Sequence, residues 1–240
     1  MMRIAVVGDI HGNRTAFAAV LADLREAAPD LTFHAGDLAD GGAGPSEIVD
    51  QVRDLRWPGV VGNTDEMLFR PEALTEFAVQ SPRFQPFLAA VQEMAASTRA
   101  ALGADRLAWL SGLPRVQLHD TLALVHANPE SVWRAPAVDA ADGELESVYE
   151  PLGKALAVHG HIHHPYIRKV GRITVANTGS VSLSYDGDRR ASYLLLDDGM
   201  PSIRRVEYDV ESEIKALGEC GMPHADWVAR ILASGRPQMP

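Results

Sequence analysis

Cysteine is almost absent from this chain of 240 residues, where Cys220 stands alone. A single cysteine excludes an intramolecular disulfide and any zinc cluster built on thiolates, and it reads as a plain thiol near a C-terminal helix. Long hydrophobic runs are missing too. No stretch approaches the roughly 20 apolar residues of a membrane helix, and the run from Ile4 to Val7 is far too short for a secretion signal. A cytoplasmic protein is the expectation. Positive charge is also scarce: 22 Lys and Arg stand against 32 Asp and Glu, a net charge of −10. This balance argues against binding long nucleic acid or an anionic membrane. It leaves room for a small phosphorylated substrate, because bound metal ions reverse the local sign. There is no internal repeat and no low-complexity segment.

What remains is a globular composition, 46% hydrophobic and 22% charged, long enough for one large α/β domain or two small ones. Arg3 to Val7 is a β-branched run closed by Gly8, which predicts a buried strand. A helix is predicted from about Arg14 to Ala27, with Phe17, Val20, Leu21 and Leu24 on one face, Asn13 as N-cap and Pro29 as stop. A second strand is predicted over Leu31 to Ala35, a helix capped by Ser46 over Ser46 to Leu55, and a third strand over Gly59 to Val61. Strand, loop and helix alternate, the pattern of a layered α/β domain with a largely parallel core.

Residues 65–113 are rich in Ala and Leu and broken by Pro71, Pro82 and Pro86, which predicts an insertion of two or three helices, the last over Ala104 to Leu110. Strands are expected again at Val116 to His119, Leu122 to His126, Leu156 to His159, Tyr166 to Val170, Ile173 to Ala176, Ser192 to Leu196 and Ile203 to Tyr208. Their tight turns, such as Val170-Gly171-Arg172, suggest an antiparallel second half. The tail from Ser212 is helical in pattern.

Polar residues gather at the C-terminal ends of the predicted strands, where open α/β sheets place their shared crevice. They are Asp9-Ile10-His11, Gly36-Asp37, Gly62-Asn63, His126 and Gly160-His161-Ile162-His163. Each is weak alone; in this order, at these positions, they point to coordination. Two divalent ions need about eight ligand positions, and imidazole, carboxylate and amide oxygen suit manganese, iron, zinc or nickel. An aspartate has two oxygens and can bridge two ions. Residues two apart can converge on one centre when the segment is a loop.

The segments GDIHGN, AGD, GNTDE, VHAN and HGHIHH resemble the motifs of the calcineurin-like metallophosphoesterase superfamily over about residues 4–185, and Asn177-Thr178-Gly179-Ser180 is similar to a segment of its small phosphodiesterase branch. The resemblance implies a single domain over 1–240. The fold would be a four-layer αββα sandwich of two mixed sheets, with 65–113 as a helical insertion capping the site and 212–240 as a helical tail. It implies one ion on Asp9, His11, Asp37 and His163 and a second on Asp37, Asn63, His126 and His161. A hydroxide shared by the ions would be the nucleophile. Manganese is the expected activator, and iron, zinc and nickel are the alternatives. The N-terminus of the helix after Asn13 would offer amides to the phosphate.

One position departs from the family pattern. Thr64 stands where the family motif has a histidine that protonates the leaving oxygen. A threonine hydroxyl is far too weak an acid for that role, and general acid catalysis contributes typically 10²–10⁴-fold. Members of the branch that lack this histidine look like phosphodiesterases, so the resemblance implies phosphodiester hydrolysis as the expected function, with His164 as candidate acid. Phosphomonoester or nucleotide hydrolysis is one alternative, and a non-catalytic binding protein on the same fold is another. The expected partner is a small phosphate ester, and self-association is open. Asn13, Arg14, Thr64 and Ser180 are candidate substrate contacts. Arg14 has a solvated helix face as its other reading, and Ser180 a turn. Asp65 and Glu66 read as acids opening a helix or as site residues. Trp133 reads as cleft wall or packing, His34 and His159 as core or supporting residues, and His119 and His224 as surface residues.

Overall fold

The computed structural model describes residues 2–120 and 122–240. In chain order its strands are β1 (Arg3–Val7), β2 (Leu31–His34), β3 (Val116–His119), β4 (Leu122–Val125), β5 (Leu156–His159), β6 (Tyr166–Val170), β7 (Ile173–Asn177), β8 (Ala191–Asp197) and β9 (Met200–Val206). Its α-helices are α1 (Arg14–Ala27), α2 (Pro45–Asp54), α3 (Asn63–Phe69), α4 (Glu72–Val79), α5 (Gln85–Ser111), α6 (Asp142–Tyr149), α7 (Val210–Glu219) and α8 (Ala225–Ser234). One sheet runs β2-β1-β8-β9 and the other β3-β4-β5-β7-β6.

The strand period of two explains the layering. Ile4 and Val6 of β1 face the other sheet and pack with Leu124, Val158 and Leu194. Ala5 and Val7 alternate to the outer face, under Phe17 and Val20 of α1 and Val49 of α2. On the far side, Ala157 and Val175 meet Leu145 and Tyr149 of α6. Strands buried on both faces read as continuous apolar runs rather than alternating ones. The result is the αββα sandwich of two mixed sheets.

Several expectations are corrected. Gly59 to Val61 is no strand: a single parallel bridge joins His34 to Gly59, Pro58 has no N–H to give, and Val61 N–H turns away to the Pro114 carbonyl. Ser46 does not cap α2. The helix starts one residue earlier, with Pro45 in its first turn and Gly44 as N-cap, and the Ser46 hydroxyl bonds the Ala101 carbonyl instead. The second half does not have the expected antiparallel direction throughout. β1 is parallel to β2 but antiparallel to β8, and β5 is parallel to both β4 and β7. The link from β4 to β5 carries α6, which was not anticipated, and a parallel pair requires such a crossover. Residues Asn63 to Ser111 hold the inserted helices, and the break before Ala104 is real: Gly103 sits inside α5 at φ 70°, outside helical geometry.

His34 lies in the core as expected, but both ring nitrogens are buried with no partner among the described residues. Burial lowers its pKa to about 4. Between that value and the unfolded 6.5, the unfolded chain holds a proton that the native ring lacks, so stability falls as pH drops through this window. The effect is on the order of 3 kcal/mol by pH 4. His34→Leu should remove it: the difference between variant and wild-type unfolding free energies should widen as pH falls from 7 to 4. Parallel curves would show that the native ring accepts the proton at no cost.

Candidate metal centre

The chain brings its metal-ligand candidates together through backbone conformations that side-chain-bearing residues rarely adopt. Asp9, His11, Asp37, His161 and His163 all have positive φ, between 48° and 70°. Such left-handed residues cost about 1–3 kcal/mol each unless the surroundings hold them, and they collect at functional sites. Here they let the side chains of Asp9 and His11, and of His161 and His163, converge on two adjoining ligand groups from loops. Two glycines allow the loops to close. A Cβ on Gly62 would overlap the Asp37 carboxylate, and one on Gly160 would overlap that of Asp9.

One ligand atom from each of Asp9, His11, Asp37 and His163 lies within 4.8 Å of the others, and all four residues are buried. His163 Nε2 is 3.1 Å from Asp9 Oδ1, and His11 Nε2 is 3.7 Å from Asp37 Oδ2. A second group adjoins the first. Asn63 Oδ1 is 2.9 Å from His126 Nε2 and 2.8 Å from His161 Nδ1, and His126 Nε2 is 3.5 Å from Asp37 Oδ1. Asp37 thus turns one oxygen to each group.

The imidazoles are set for ligation. His11, His126 and His163 each donate Nδ1–H to a backbone carbonyl, those of Asp40, Ala35 and Leu183, at 2.7, 2.7 and 2.6 Å. An anchored Nδ1–H fixes the tautomer and leaves the Nε2 lone pair facing the site. For His11 and His163 these atoms face each other at 3.2 Å with both Nδ1 protons committed elsewhere. Two bare lone pairs at that distance repel, and a cation between them removes the conflict. The donor set, nitrogen and oxygen with no thiolate, suits the first-row divalent metals.

Electrostatics favour positive charge here. Burial alone would push the Asp37 carboxyl up, yet His126, His11 and His161 around it hold it well below the usual carboxylate range. Burial disfavours charge on His126 as well, but the facing Asp37 raises it to about 9. His161 is pushed down to about 4 by burial and by His126.

Asp65 is the residue whose role the sequence reading left open. Fully buried, it accepts the amides of Asp37 and Gly62 on Oδ2, at 2.8 and 3.0 Å, and that of Leu38 on Oδ1 at 2.9 Å. It ties the loop of Asp37 to the start of α3, where Asn63 sits. The N-x-G-S segment does the same for the other loops. Asn177 donates to the Gly160 carbonyl at 2.6 Å, and the Ser180 hydroxyl donates to the Asp9 carbonyl at 2.8 Å while accepting the amides of Ser182 and Leu183.

The candidate substrate contacts divide. Thr64 lines a cavity of about 570 Å³ that opens from the metal centre at His11, Asp40, Gly41 and Asn63. Its backbone N–H donates to Asp37 Oδ1 at 2.9 Å, and its hydroxyl oxygen is buried without a partner. Asn13, Arg14, Ser180 and His164 do not line this cavity. Asn13 caps α1 and donates to Ser182, Arg14 pairs with Glu47 at the surface, and His164 Nδ1–H goes to the Ile162 carbonyl at 3.0 Å. The expected amides of α1 are engaged as well: Asn13 Oδ1 takes that of Ala16 and Glu213 takes that of Thr15. Trp133 packs on Phe77 and donates its indole N–H to Glu66, away from the cavity. His159 supports the His161 loop from below, between Tyr149, Tyr166 and Asn177.

Comparison with known proteins gives a consistent picture. The model of the calcineurin-like phosphoesterase superfamily domain matches residues 2–198. An uncharacterized protein of Methanocaldococcus jannaschii is 29% identical, over 97% of this chain and 98% of its own length. A probable cyclic nucleotide phosphodiesterase of Synechococcus is 27% identical, over 70% of this chain and 71% of its own. The crystal structure of a metallophosphoesterase from Sphaerobacter thermophilus shares the fold, with a TM-score of 0.78 at 24% identity and coverage of 98% of this chain and 100% of that one.

Proposed function

The chain belongs to the calcineurin-like phosphoesterase superfamily, and from that premise we propose that it is a two-metal phosphodiesterase acting on a small phosphate ester. The observation that carries this reading is the position of Asp37, with Oδ1 toward His126 and Oδ2 toward His11, between two adjoining ligand groups. Asp9, His11, Asp37 and His163 would hold one divalent ion, and Asp37, Asn63, His126 and His161 the other. Such a pair supplies an activated water and neutralises charge developing on the phosphoryl oxygens.

The chain's own residues do the rest. The Nδ1–H bonds of His11, His126 and His163 hold their rings in one tautomer and orientation. The Thr64 amide orients Asp37. The Thr64 side chain brings no proton to the leaving oxygen, and His164 does not line the cavity. Esters that need little protonation, aryl diesters foremost, fit such a site. The relative named as a probable cyclic nucleotide phosphodiesterase supports a diester as the substrate class.

Two measurements test the proposal. With manganese, bis(p-nitrophenyl) phosphate should turn over faster than p-nitrophenyl phosphate; the reverse order would replace the diester reading by a monoesterase. Elemental analysis after metal supplementation should find about two ions per chain. Less than one ion, with no hydrolysis of either ester, would leave only a binding protein on this fold.

A further inference from the structure

The metal ligands can grip only a phosphoryl group, which every phosphate ester has, so selectivity must come from the rest of the cavity. Beyond Thr64 its wall changes character. Phe84, Phe87 and Met94 come from the inserted helices, Trp227 and Ile231 from α8, and Tyr185 from the loop before β8. The aromatic planes follow one another: Phe84 and Phe87 stack at 5.9 Å with 23° between planes, and Phe87 and Trp227 lie 6.0 Å apart at 35°. The polar edge of Trp227 is already used, its indole N–H donating to the Gln238 carbonyl at 2.9 Å. Its ring is therefore fixed and presents apolar surface. Among the described residues, no lysine or arginine lines the chamber, and Asp40 stands at the end near the metal centre. A second phosphate or a carboxylate would find no cation there and would meet an acid. At 570 Å³ the space suits a whole small ligand.

We propose that this chamber between α5 and α8 binds an uncharged, apolar aromatic group of the substrate ester, and that this group rather than the phosphate sets specificity. The proposal rests on the phosphoesterase reading for the placement of the phosphate. Removing an aromatic ring from water onto such a wall is worth roughly 10–100-fold in affinity. Esters with a second anionic group on that side are excluded for lack of a counter-charge.

Phosphonates, which carry no ester bond to cleave, separate binding from turnover. Methylphosphonate, 1-naphthylmethylphosphonate and the same naphthyl compound with a ring sulfonate are titrated calorimetrically into the manganese-loaded protein. The naphthyl compound should bind about 10–100-fold more tightly than the methyl one, and the sulfonate should erase that gain. Trp227→Ala and Phe87→Ala should each shrink the preference severalfold. The wild-type series decides alone if a variant does not fold. Equal affinity for methyl and naphthyl, or full affinity for the sulfonated ring, would overturn the proposal. If hydrolysis is found without the naphthyl preference, the chamber assignment fails alone. If the preference is found and no ester is hydrolysed, the chamber stands and the phosphodiesterase reading fails.

Discussion

Asp37→Asn is expected to lower kcat for an aryl phosphodiester by roughly 10²–10⁴-fold, since a bound divalent ion contributes several kcal/mol and each 1.36 kcal/mol is tenfold. The asparagine keeps one acceptor oxygen and loses the other, so it can serve one ligand group and not both. Metal content should drop toward one ion per chain. The rise in unfolding temperature that saturating manganese gives the wild type should shrink with it, because a ligand stabilises only as far as it binds the native state. The metal-free variant should unfold close to the metal-free wild type. It loses the charge pair with His126, but it also relieves Asp40 and Asp65, whose carboxyls are lifted to about 7 and about 6 by burial and by the charge of Asp37. Near-normal turnover with two ions bound would remove Asp37 from its proposed position between the metals.

The variant separates two things that the site combines. Four buried carboxylates, those of Asp9, Asp37, Asp40 and Asp65, stand close to one another, and among the described residues no lysine or arginine hydrogen-bonds to them. Such a concentration of negative charge is costly for the empty fold and favourable for a fold that holds cations. The five left-handed residues point the same way: backbone strain is accepted where ligand geometry requires it.

The ligand candidates were legible because each sits beside a glycine or a strand end in a short segment whose chemistry is local. The apolar run of β1 and the N-cap of α1 were legible for the same reason, and α1 spans the predicted residues. What was hidden depends on partners far along the chain. Gly59 to Val61 looks like a strand until the Val61 amide is seen to go to Pro114. α6 has eight residues and buries only Leu145 and Tyr149, too few to give a period. The apolar chamber is invisible in sequence because Phe87 and Trp227 belong to helices 140 positions apart, and neither helix face is unusual by itself. Strand direction in the second half was misread from the turns, since hairpins announce themselves locally and the crossover through α6 does not.

Asp65 is the clearest case of a locally correct but incomplete reading, and it yields the second large prediction. As the third residue of α3 it does accept the amide of Gly62, as an acid opening a helix should. Its remaining hydrogen bonds reach Asp37 and Leu38, 28 and 27 positions away. A helix-opening acid alone would be worth about 0.3–1 kcal/mol, and its loss would leave the metal centre untouched. Asp65→Ala instead strands three buried amides at about 1–3 kcal/mol each, so a loss of at least about 3 kcal/mol is expected. For a domain of this size that lowers the unfolding temperature on the order of 10 °C. Because the freed amides belong to the loop of Asp37 and the start of α3, metal affinity should fall roughly 10–100-fold, as it does when groups that orient ligands are removed. Asp65→Asn should lie between wild type and alanine: its oxygen can replace Oδ2 for Asp37 and Gly62, but its amide then opposes the Leu38 N–H. Thermal unfolding and manganese titration of the two variants decide the matter. A loss below about 1 kcal/mol with unchanged metal affinity would reduce Asp65 to a helix terminus.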